Sequence, residues 1–189
     1  MVDIRRVGIL GSGIMGAGLA EVAAKAGYDV IVRSRTKAAA EAMVANIDKG
    51  FAKAIERGKA TAEERDATLA RITATDHLGA LADCDLVIES VVEDLAVKKA
   101  LFAELEQIVK PEGILASNTS TLPLIELAMV TQRPDKVCGV HFFNPAPVMK
   151  LVEIVRGLQT SDATYESVKQ LAEHLGKTTV LSREAPGFI

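Results

Sequence analysis

A glycine-rich turn near the amino terminus constrains the fold of this chain more than any other segment. The spacing G-x-G-x-x-G begins at Gly11, directly after the apolar run 7–10, and opens a helix-periodic segment that stops at Gly27. Such glycines permit a tight turn, close approach of a ligand to the backbone, and close packing of helix on strand. The N–H groups and the dipole of a helix N-terminus favour phosphate. The pattern predicts a βαβ unit that binds a dinucleotide, with contacts from Gly11, Gly13, Ile14, Met15 and Gly16.

The rest of the chain alternates short apolar runs with longer helical patterns, which is typical of a parallel sheet with helical crossovers. Strands are predicted at 7–10, 30–32, 72–74, 86–88, 114–116, 137–140, 151–155 and 178–181, and helices at about 14–27, 37–57, 61–69 and 95–109, with a last helix capped near Ser161 or Asp162. We expect one Rossmann-type, doubly wound, mainly parallel α/β domain over residues 1–189. The helical hairpin within about 37–70 is longer than a crossover requires, so we interpret it as an inserted arm.

Composition argues against several classes of protein. The net charge of −3 does not suit a surface that coats nucleic acid, and the longest apolar runs are far too short to span a bilayer. Cys84 and Cys138 show neither C-x-x-C nor Cys/His metal spacing, as expected of buried thiols in a reducing compartment. The sequence therefore predicts a cytoplasmic protein without a signal peptide, a metal site, or a membrane or nucleic-acid partner.

The end of the second predicted strand bears on which dinucleotide binds. An acid that hydrogen-bonds the adenosine ribose of NAD is expected there, whereas this chain has Ser34 flanked by Arg33 and Arg35. Loss of an acid and gain of a guanidinium suit a 2′-phosphate, which slightly favours NADP over NAD, with Ser34 and Arg35 as the contacts. The alternative is that both arginines are solvated surface charges and that either cofactor is accepted.

A histidine and a glutamate suggest acid–base chemistry. His141 follows a buried strand, at the carboxyl edge where doubly wound sheets bind ligands. Glu153 interrupts the apolar run 151–155, and a carboxylate in such a strand needs a partner. An imidazole oriented by this carboxylate would act as a general base; the alternative is a core histidine bonded to a backbone carbonyl. His77 and His174 have no comparable carboxylate partner in the sequence pattern and are expected at the surface.

Three further segments carry a family resemblance, namely 117–122 (Ser-Asn-Thr-Ser-Thr-Leu), 141–153 and 186–189 (Pro-Gly-Phe-Ile). Together they strongly resemble the 3-hydroxyacyl-CoA dehydrogenase family, most of all its 3-hydroxybutyryl-CoA branch, over essentially the whole chain. The resemblance implies hydride transfer between NAD(P) and C3 of a short-chain 3-hydroxyacyl-CoA and 3-oxoacyl-CoA pair. The implied catalytic residues are His141 as the base for the 3-hydroxyl proton, Glu153 as its orienting partner, and Ser120 and Asn144 in the substrate pocket.

The resemblance also assigns residues that bind the cofactor and coenzyme A. It places Glu93 near the nicotinamide ribose and Lys98 near the cofactor, although both also suit solvated positions at a helix start. It gives the helical arm the role of holding coenzyme A, with Lys53 and Arg57 facing its phosphates. A solvated helix face is the alternative for these cations, and Gly50 stands where the family has a serine.

In the family, a segment like 186–189 continues into a helical domain that closes the substrate cleft and forms the dimer. For residues 1–189 alone we therefore expect cofactor binding with little turnover, and exposed apolar surface around Met149 and Phe188. A full-length protein is expected to be a homodimer. Two alternatives stay open: a related hydroxyacid dehydrogenase of the lambda-crystallin/gulonate type, and a dinucleotide-binding module inactive through truncation. The basic arm favours an acyl-CoA substrate.

Overall fold

The computed structural model describes residues 1–184 of the chain. The strands are β1 Arg6–Leu10, β2 Asp29–Arg33, β3 Ile72–Thr75, β4 Leu86–Glu89, β5 Ile114–Ser117, β6 Val137–Phe142, β7 Leu151–Arg156 and β8 Thr178–Arg183. The α-helices are α1 Ile14–Lys25, α2 Lys37–Glu56, α3 Ala62–Leu69, α4 Leu95–Ile108, α5 Leu124–Ala128 and α6 Asp162–His174. The segment 186–189, and with it Phe188, lies outside the described residues.

The eight strands form one sheet in the order β3-β2-β1-β4-β5-β6-β7-β8. The first six pair in parallel, β7 runs antiparallel to β6, and β8 is parallel to β7. The order reverses direction between β1 and β4, which is the switch point where such sheets bind ligands. The prediction of a Rossmann-type, mainly parallel sheet is confirmed.

Helices cover both faces of the sheet because side chains along each buried strand alternate between two apolar cores. In β4, Ile88 belongs to the core shared with α1, α2 and α6, whereas Val87 belongs to the core shared with α4 and α5. The fold is therefore doubly wound, as predicted.

The helical arm begins and ends where its local signals place it. Gly58, at φ +65°, follows α2, and Thr61 and Glu64 form the predicted capping box that begins α3. Ala40, Met43, Ile47 and Phe51 are the buried side chains of α2, and the last three belong to the core beneath α1. The arm is thus packed on the domain along its apolar face.

Candidate active site

The glycine turn lies against the loop that follows β4. A side chain at Gly11, which has φ +108°, would place its Cβ 2.2 Å from the carbonyl oxygen of Ser90. A Cβ at Gly16 would lie 2.0 Å from the carbonyl oxygen of Gly11. Only glycine fits at either position, so the two loops meet at the switch point of the sheet.

The middle glycine of the turn faces open space. Gly13 is the N-cap of α1, and a Cβ built on it meets no atom within 4 Å. The N–H groups at the start of this 12-residue helix are therefore accessible to an anion. Ile14 is exposed and Met15 is half-buried. This open, positively polarised helix start fits the pyrophosphate of a dinucleotide.

Ser34, at the end of β2, lies beside the glycine turn. It is 8% exposed, and its hydroxyl donates to the Ser12 hydroxyl at 2.9 Å. The Arg33 guanidinium donates to the carbonyl of Asp76 at 3.1 Å, whereas Arg35 is exposed. Of the two flanking arginines, Arg33 is thus engaged by the protein, and Arg35 extends from an exposed position near Ser34.

His141 and Glu153 are brought together by strand pairing. They are register partners in β6 and β7, and His141 Nδ1 lies 2.6 Å from Glu153 Oε2. Glu153 is buried. The other ring nitrogen of His141 lies 3.1 Å from the Ser120 hydroxyl. With Nδ1–H donated to the carboxylate, a neutral ring presents its Nε2 lone pair to Ser120.

Lys98 is 1% exposed, with its Nζ 2.6 Å from Glu89 Oε1 and 3.1 Å from Glu93 Oε2. The alternative of a solvated Lys98 is therefore wrong, because the helix face that carries it packs onto the end of β4. Glu93 is exposed in part and accepts from the Thr119 hydroxyl and from the Ser120 N–H at 3.2 Å. Burial raises the pKa of Glu93, but these hydrogen bonds and the Lys98 charge outweigh it, and the net pKa is lowered.

The buried residues beneath this site were not predicted from the sequence. Glu89 accepts hydrogen bonds from the Val91 N–H at 2.6 Å and from the Ser117 hydroxyl at 2.7 Å. The sequence does contain a sign that Glu89 is buried and paired, because this carboxylate ends the apolar run of β4 much as Glu153 interrupts that of β7. Ser117 carries no signal of its own, because its importance comes from lying opposite Glu89 in the sheet.

A cavity of about 440 Å³ adjoins the glycine turn. Gly13, Ile14, Asn46 and Asn144 are among its lining residues, so it extends from the turn to α2 and to the loop after β6. Lys177 holds this loop by donating to the carbonyls of Ala146 at 2.6 Å and Met149 at 2.9 Å.

The basic residues of the arm lie apart from this cavity. Within the described chain, neither Lys53 nor Arg57 is part of the cavity lining, and both are exposed at the end of α2.

The other two histidines, His77 and His174, are exposed, and His174 Nδ1 lies 2.8 Å from the Tyr28 hydroxyl.

Over residues 1–184, no group of three or more His, Cys, Asp or Glu side chains is placed to hold a metal ion. Nor does any helix in that span have the length and apolarity needed to cross a membrane. Cys84 and Cys138 are buried free thiols, and burial raises the pKa of each to about 12.

Comparison with known proteins agrees with this architecture. The family described as 3-hydroxyacyl-CoA dehydrogenase, NAD binding domain, matches residues 6–185. The chain is 46% identical to a probable 3-hydroxybutyryl-CoA dehydrogenase of Deinococcus radiodurans, over 97% of this chain and 66% of that protein. It is 43% identical to the 3-hydroxybutyryl-CoA dehydrogenase of Bradyrhizobium diazoefficiens, over 98% and 64%. The chain thus spans about two thirds of the length of these relatives.

A solved structure shows the same fold. The (S)-3-hydroxybutyryl-CoA dehydrogenase of Ralstonia eutropha superposes with a TM-score of 0.96 at 40% identity, covering 99% of this chain and 66% of that one. In this chain the glycine turn follows β1, and the paired His141 and Glu153 lie in β6 and β7. The chain belongs to the 3-hydroxyacyl-CoA dehydrogenase family, whose NAD-binding domain it matches.

Proposed function

We propose that this chain binds NAD(P) and carries the residues that transfer hydride between the cofactor and C3 of a short-chain 3-hydroxyacyl-CoA and 3-oxoacyl-CoA pair. One observation carries the proposal: the ring of His141 lies between Glu153 and Ser120, at 2.6 Å and 3.1 Å. A base with one nitrogen held by a carboxylate and the other facing a hydroxyl is suited to take a proton from an alcohol. The names of the relatives favour 3-hydroxybutyryl-CoA as the substrate.

Each of these residues has one task in the oxidation direction. Glu153 accepts a hydrogen bond from the Nδ1–H group, which keeps the Nε2 lone pair directed at the substrate. Nε2 takes the proton of the 3-hydroxyl, and Ser120 hydrogen-bonds the same oxygen, so that negative charge does not build up on it. A dinucleotide bound at the glycine turn would supply the hydride acceptor for C3. In the reduction direction, the protonated ring returns its proton to the oxygen.

The cofactor is held along the sheet edge. Gly11, Gly13 and Gly16, with the N–H groups of Ile14 and Met15, form the pyrophosphate site. Glu93 extends toward the nicotinamide end. Lys98, neutralised by two carboxylates, acts through Glu93.

The acyl-CoA is held along the adjoining cavity. We assign the space between Asn144 and α2 to this substrate, with Lys53 and Arg57 attracting the phosphates of coenzyme A. The proposal also includes a homodimer for a full-length protein and a cytoplasmic location, for which the buried free thiols are support.

The central prediction concerns His141→Gln. Removing the base should lower the rate of acetoacetyl-CoA reduction by about 10² to 10⁴-fold and leave the Kd for NADH unchanged, because the glycine turn is untouched. Binding is followed by nucleotide fluorescence and turnover by absorbance, with protein in excess over substrate because slow turnover is expected. Equal rates for the two proteins would refute the proposal.

The same assay separates the alternatives. Turnover of a free hydroxyacid but not of the thioester would favour an enzyme of the gulonate type. Cofactor binding without any turnover would favour a binding module.

A second prediction concerns cofactor choice. The exposed Arg35 beside Ser34 supports a preference for NADPH, and loss of one guanidinium–phosphate bond weakens binding by about tenfold. Arg35→Gln should therefore raise the Kd for NADPH by that factor and leave the Kd for NADH unchanged. Arg183→Gln, on the edge strand β8, is the matched control. A preference for NADH in the wild-type chain that persists in Arg35→Ala would contradict the proposal.

A further inference from the structure

A buried polar cluster lies beneath Ser120, and the proposed chemistry does not involve it directly. Glu89 and Ser117 end the neighbouring strands β4 and β5 and are register partners there. Both side chains are fully buried, and the Ser117 hydroxyl donates to Glu89 Oε2 at 2.7 Å. Lys98 of α4 covers the pair, with its Nζ 2.6 Å from Glu89 Oε1.

Two hydrogen bonds, each from a main-chain N–H group to a side-chain oxygen, support the peptide of Thr119 and Ser120. The Thr119 N–H donates to the Ser117 hydroxyl oxygen at 3.2 Å, and the Ser120 N–H donates to Glu93 Oε1 at 3.2 Å. Lys98 holds Glu93 through Oε2 at 3.1 Å. Lys98 therefore joins both supports of the peptide that carries the Ser120 side chain.

The direction of these hydrogen bonds requires both side-chain oxygens of Glu89 to act as acceptors. Its two oxygens accept from three donors, namely the Val91 N–H, Lys98 and the Ser117 hydroxyl. Because Ser117 gives its only hydrogen to Glu89, its lone pairs are left for the Thr119 N–H. A glutamine at position 89 would have a single acceptor oxygen, so its NH₂ group would face either the Val91 N–H and Lys98 or the Ser117 hydroxyl, whose hydrogen would then lose its acceptor.

We infer that Glu89 is a positioning residue, which through Ser117 and Lys98 fixes the main chain at 119–120 so that the Ser120 hydroxyl meets Nε2 of His141. Glu89 itself is shielded from substrate and cofactor by its full burial. The catalytic meaning of the Ser120–His141 contact rests on the proposed function, whereas the hydrogen bonds that connect Glu89 to residues 119–120 do not. The inference can therefore be tested without substrate.

The first measurement is native-state amide hydrogen exchange in Glu89→Gln. The Thr119 and Ser120 amides should exchange at least about tenfold faster than in wild type, beyond any change shared by the core amides of β1. Glu106→Gln is the matched control, because Glu106 also pairs with a cation, Arg133 at 3.0 Å, at the other end of α4. It should leave both amides unchanged. Unchanged amides in a folded Glu89→Gln would overturn the inference.

The second measurement follows the imidazole of His141, identified as the histidine signal lost in His141→Gln. Glu89→Gln should shift its Nε2 nitrogen-15 resonance, and this shift should vanish when Ser120 is already alanine, because Glu89 acts through Ser120. A shift of equal size in the Ser120→Ala background would overturn the inference.

If Glu89→Gln does not fold, Ser117→Ala replaces it, since it removes the acceptor of the Thr119 N–H without unpairing a charge. Failure of both variants to fold would also overturn the inference, because both residues would then serve global stability. Absence of turnover in the wild type, with the exchange and nitrogen-15 results as expected, would refute the proposed function alone.

Discussion

The three glycines of the turn lack a side chain for different physical reasons. At Gly11 the backbone conformation and the adjacent Ser90 carbonyl exclude a Cβ, and at Gly16 the Gly11 carbonyl excludes it. At Gly13 the backbone has φ −76°, which any residue adopts, and the space beyond is open. Protein packing therefore accounts for the first and third glycines but not for the second, which is consistent with the proposed pyrophosphate site.

This difference separates folding from binding. Gly13→Ala should change the free energy of unfolding by less than about 1 kcal/mol and weaken NADH binding by at least about tenfold, because the methyl group occupies space assigned to the pyrophosphate. Gly16→Ala should lower the free energy of unfolding by several times more. Urea denaturation and nucleotide titration of both variants make the comparison. Wild-type NADH affinity in Gly13→Ala would contradict the assignment of the turn.

Of two buried glutamates in the sheet, Glu153 was predicted as a site residue from the sequence and Glu89 was not. Glu153 and Glu89 are both carboxylates in apolar strands, and the first was interpreted because a histidine and a family motif stood nearby in sequence. The partners of Glu89 are Ser117, 28 positions away, and Lys98, nine positions away. Neither separation is a local periodicity, so the cluster becomes visible only when the strands and α4 are assembled.

At the scale of elements, the carboxyl end of α4 is held by one buried arginine. Arg133 pairs with Glu106 at 3.0 Å and donates to four carbonyl oxygens, those of Glu106, Val109, Lys110 and Gly113. A cation at this end of a helix meets carbonyls that have no partner within the helix. Arg133 thus connects the loop before β6 to the end of α4.

Arg133→Met should lower the free energy of unfolding by about 3 to 5 kcal/mol, since it leaves Glu106 and several carbonyls buried without their donor. Arg71→Met, which breaks an exposed pair with Asp29, should cost no more than about 1 kcal/mol. Chemical denaturation of both variants measures the difference. Similar losses for the two variants would contradict a special role for Arg133.

Elements with local end signals were predicted best. The Gly58 break and the Thr61 capping box place the arm correctly, and Gly27 ends the α1 segment with φ +97°. The five-residue helix α5 was missed, because one turn after Pro123 is too short to show a helical period. Strands β4 and β5 each run one residue further than the predicted ends at 88 and 116, into the polar residues Glu89 and Ser117.

For the whole molecule, charge burial predicts the response to acid. Burial raises the pKa of Asp85, but hydrogen bonds from Lys110 and from the N–H groups of Arg5 and Arg6 outweigh it, so that the net pKa lies below the usual aspartate value. The pKa of Glu93 is likewise below the usual glutamate value. Groups with a depressed folded-state pKa contribute stability above their unfolded pKa, and this stability is lost as the pH falls through the folded value. Glu21 opposes them, since burial raises its pKa.

The urea midpoint should therefore fall as the pH drops below about 4.5, the ordinary range of these carboxyls. Asp85→Asn should lower the midpoint at pH 7 and flatten this decline. Glu104→Gln, at an exposed position of α4, should do neither. An Asp85→Asn variant with the wild-type acid profile would contradict the assignment.

The strands that form the sheet were predicted, but the direction of β7 was not. Alternating apolar runs indicated parallel pairing, and β1 to β6 pair in that way. The reversal at β7 was not predicted. It follows from the eight residues 143–150 between β6 and β7, because a parallel return needs a crossover of about a dozen residues or more.

That reversal has a consequence for how this chain tolerates change in length. His141 and Glu153 face each other because two antiparallel strands are in register, not because the residues between them have a fixed number. Insertions within 143–150 leave the pair intact as long as the strands still pair, so they would reshape the pocket around Asn144 without separating His141 from Glu153. One residue deleted inside β6 or β7 would instead turn one partner to the opposite face of the sheet. The geometry of the pair is therefore more sensitive to the lengths of β6 and β7 than to the length of the loop that joins them.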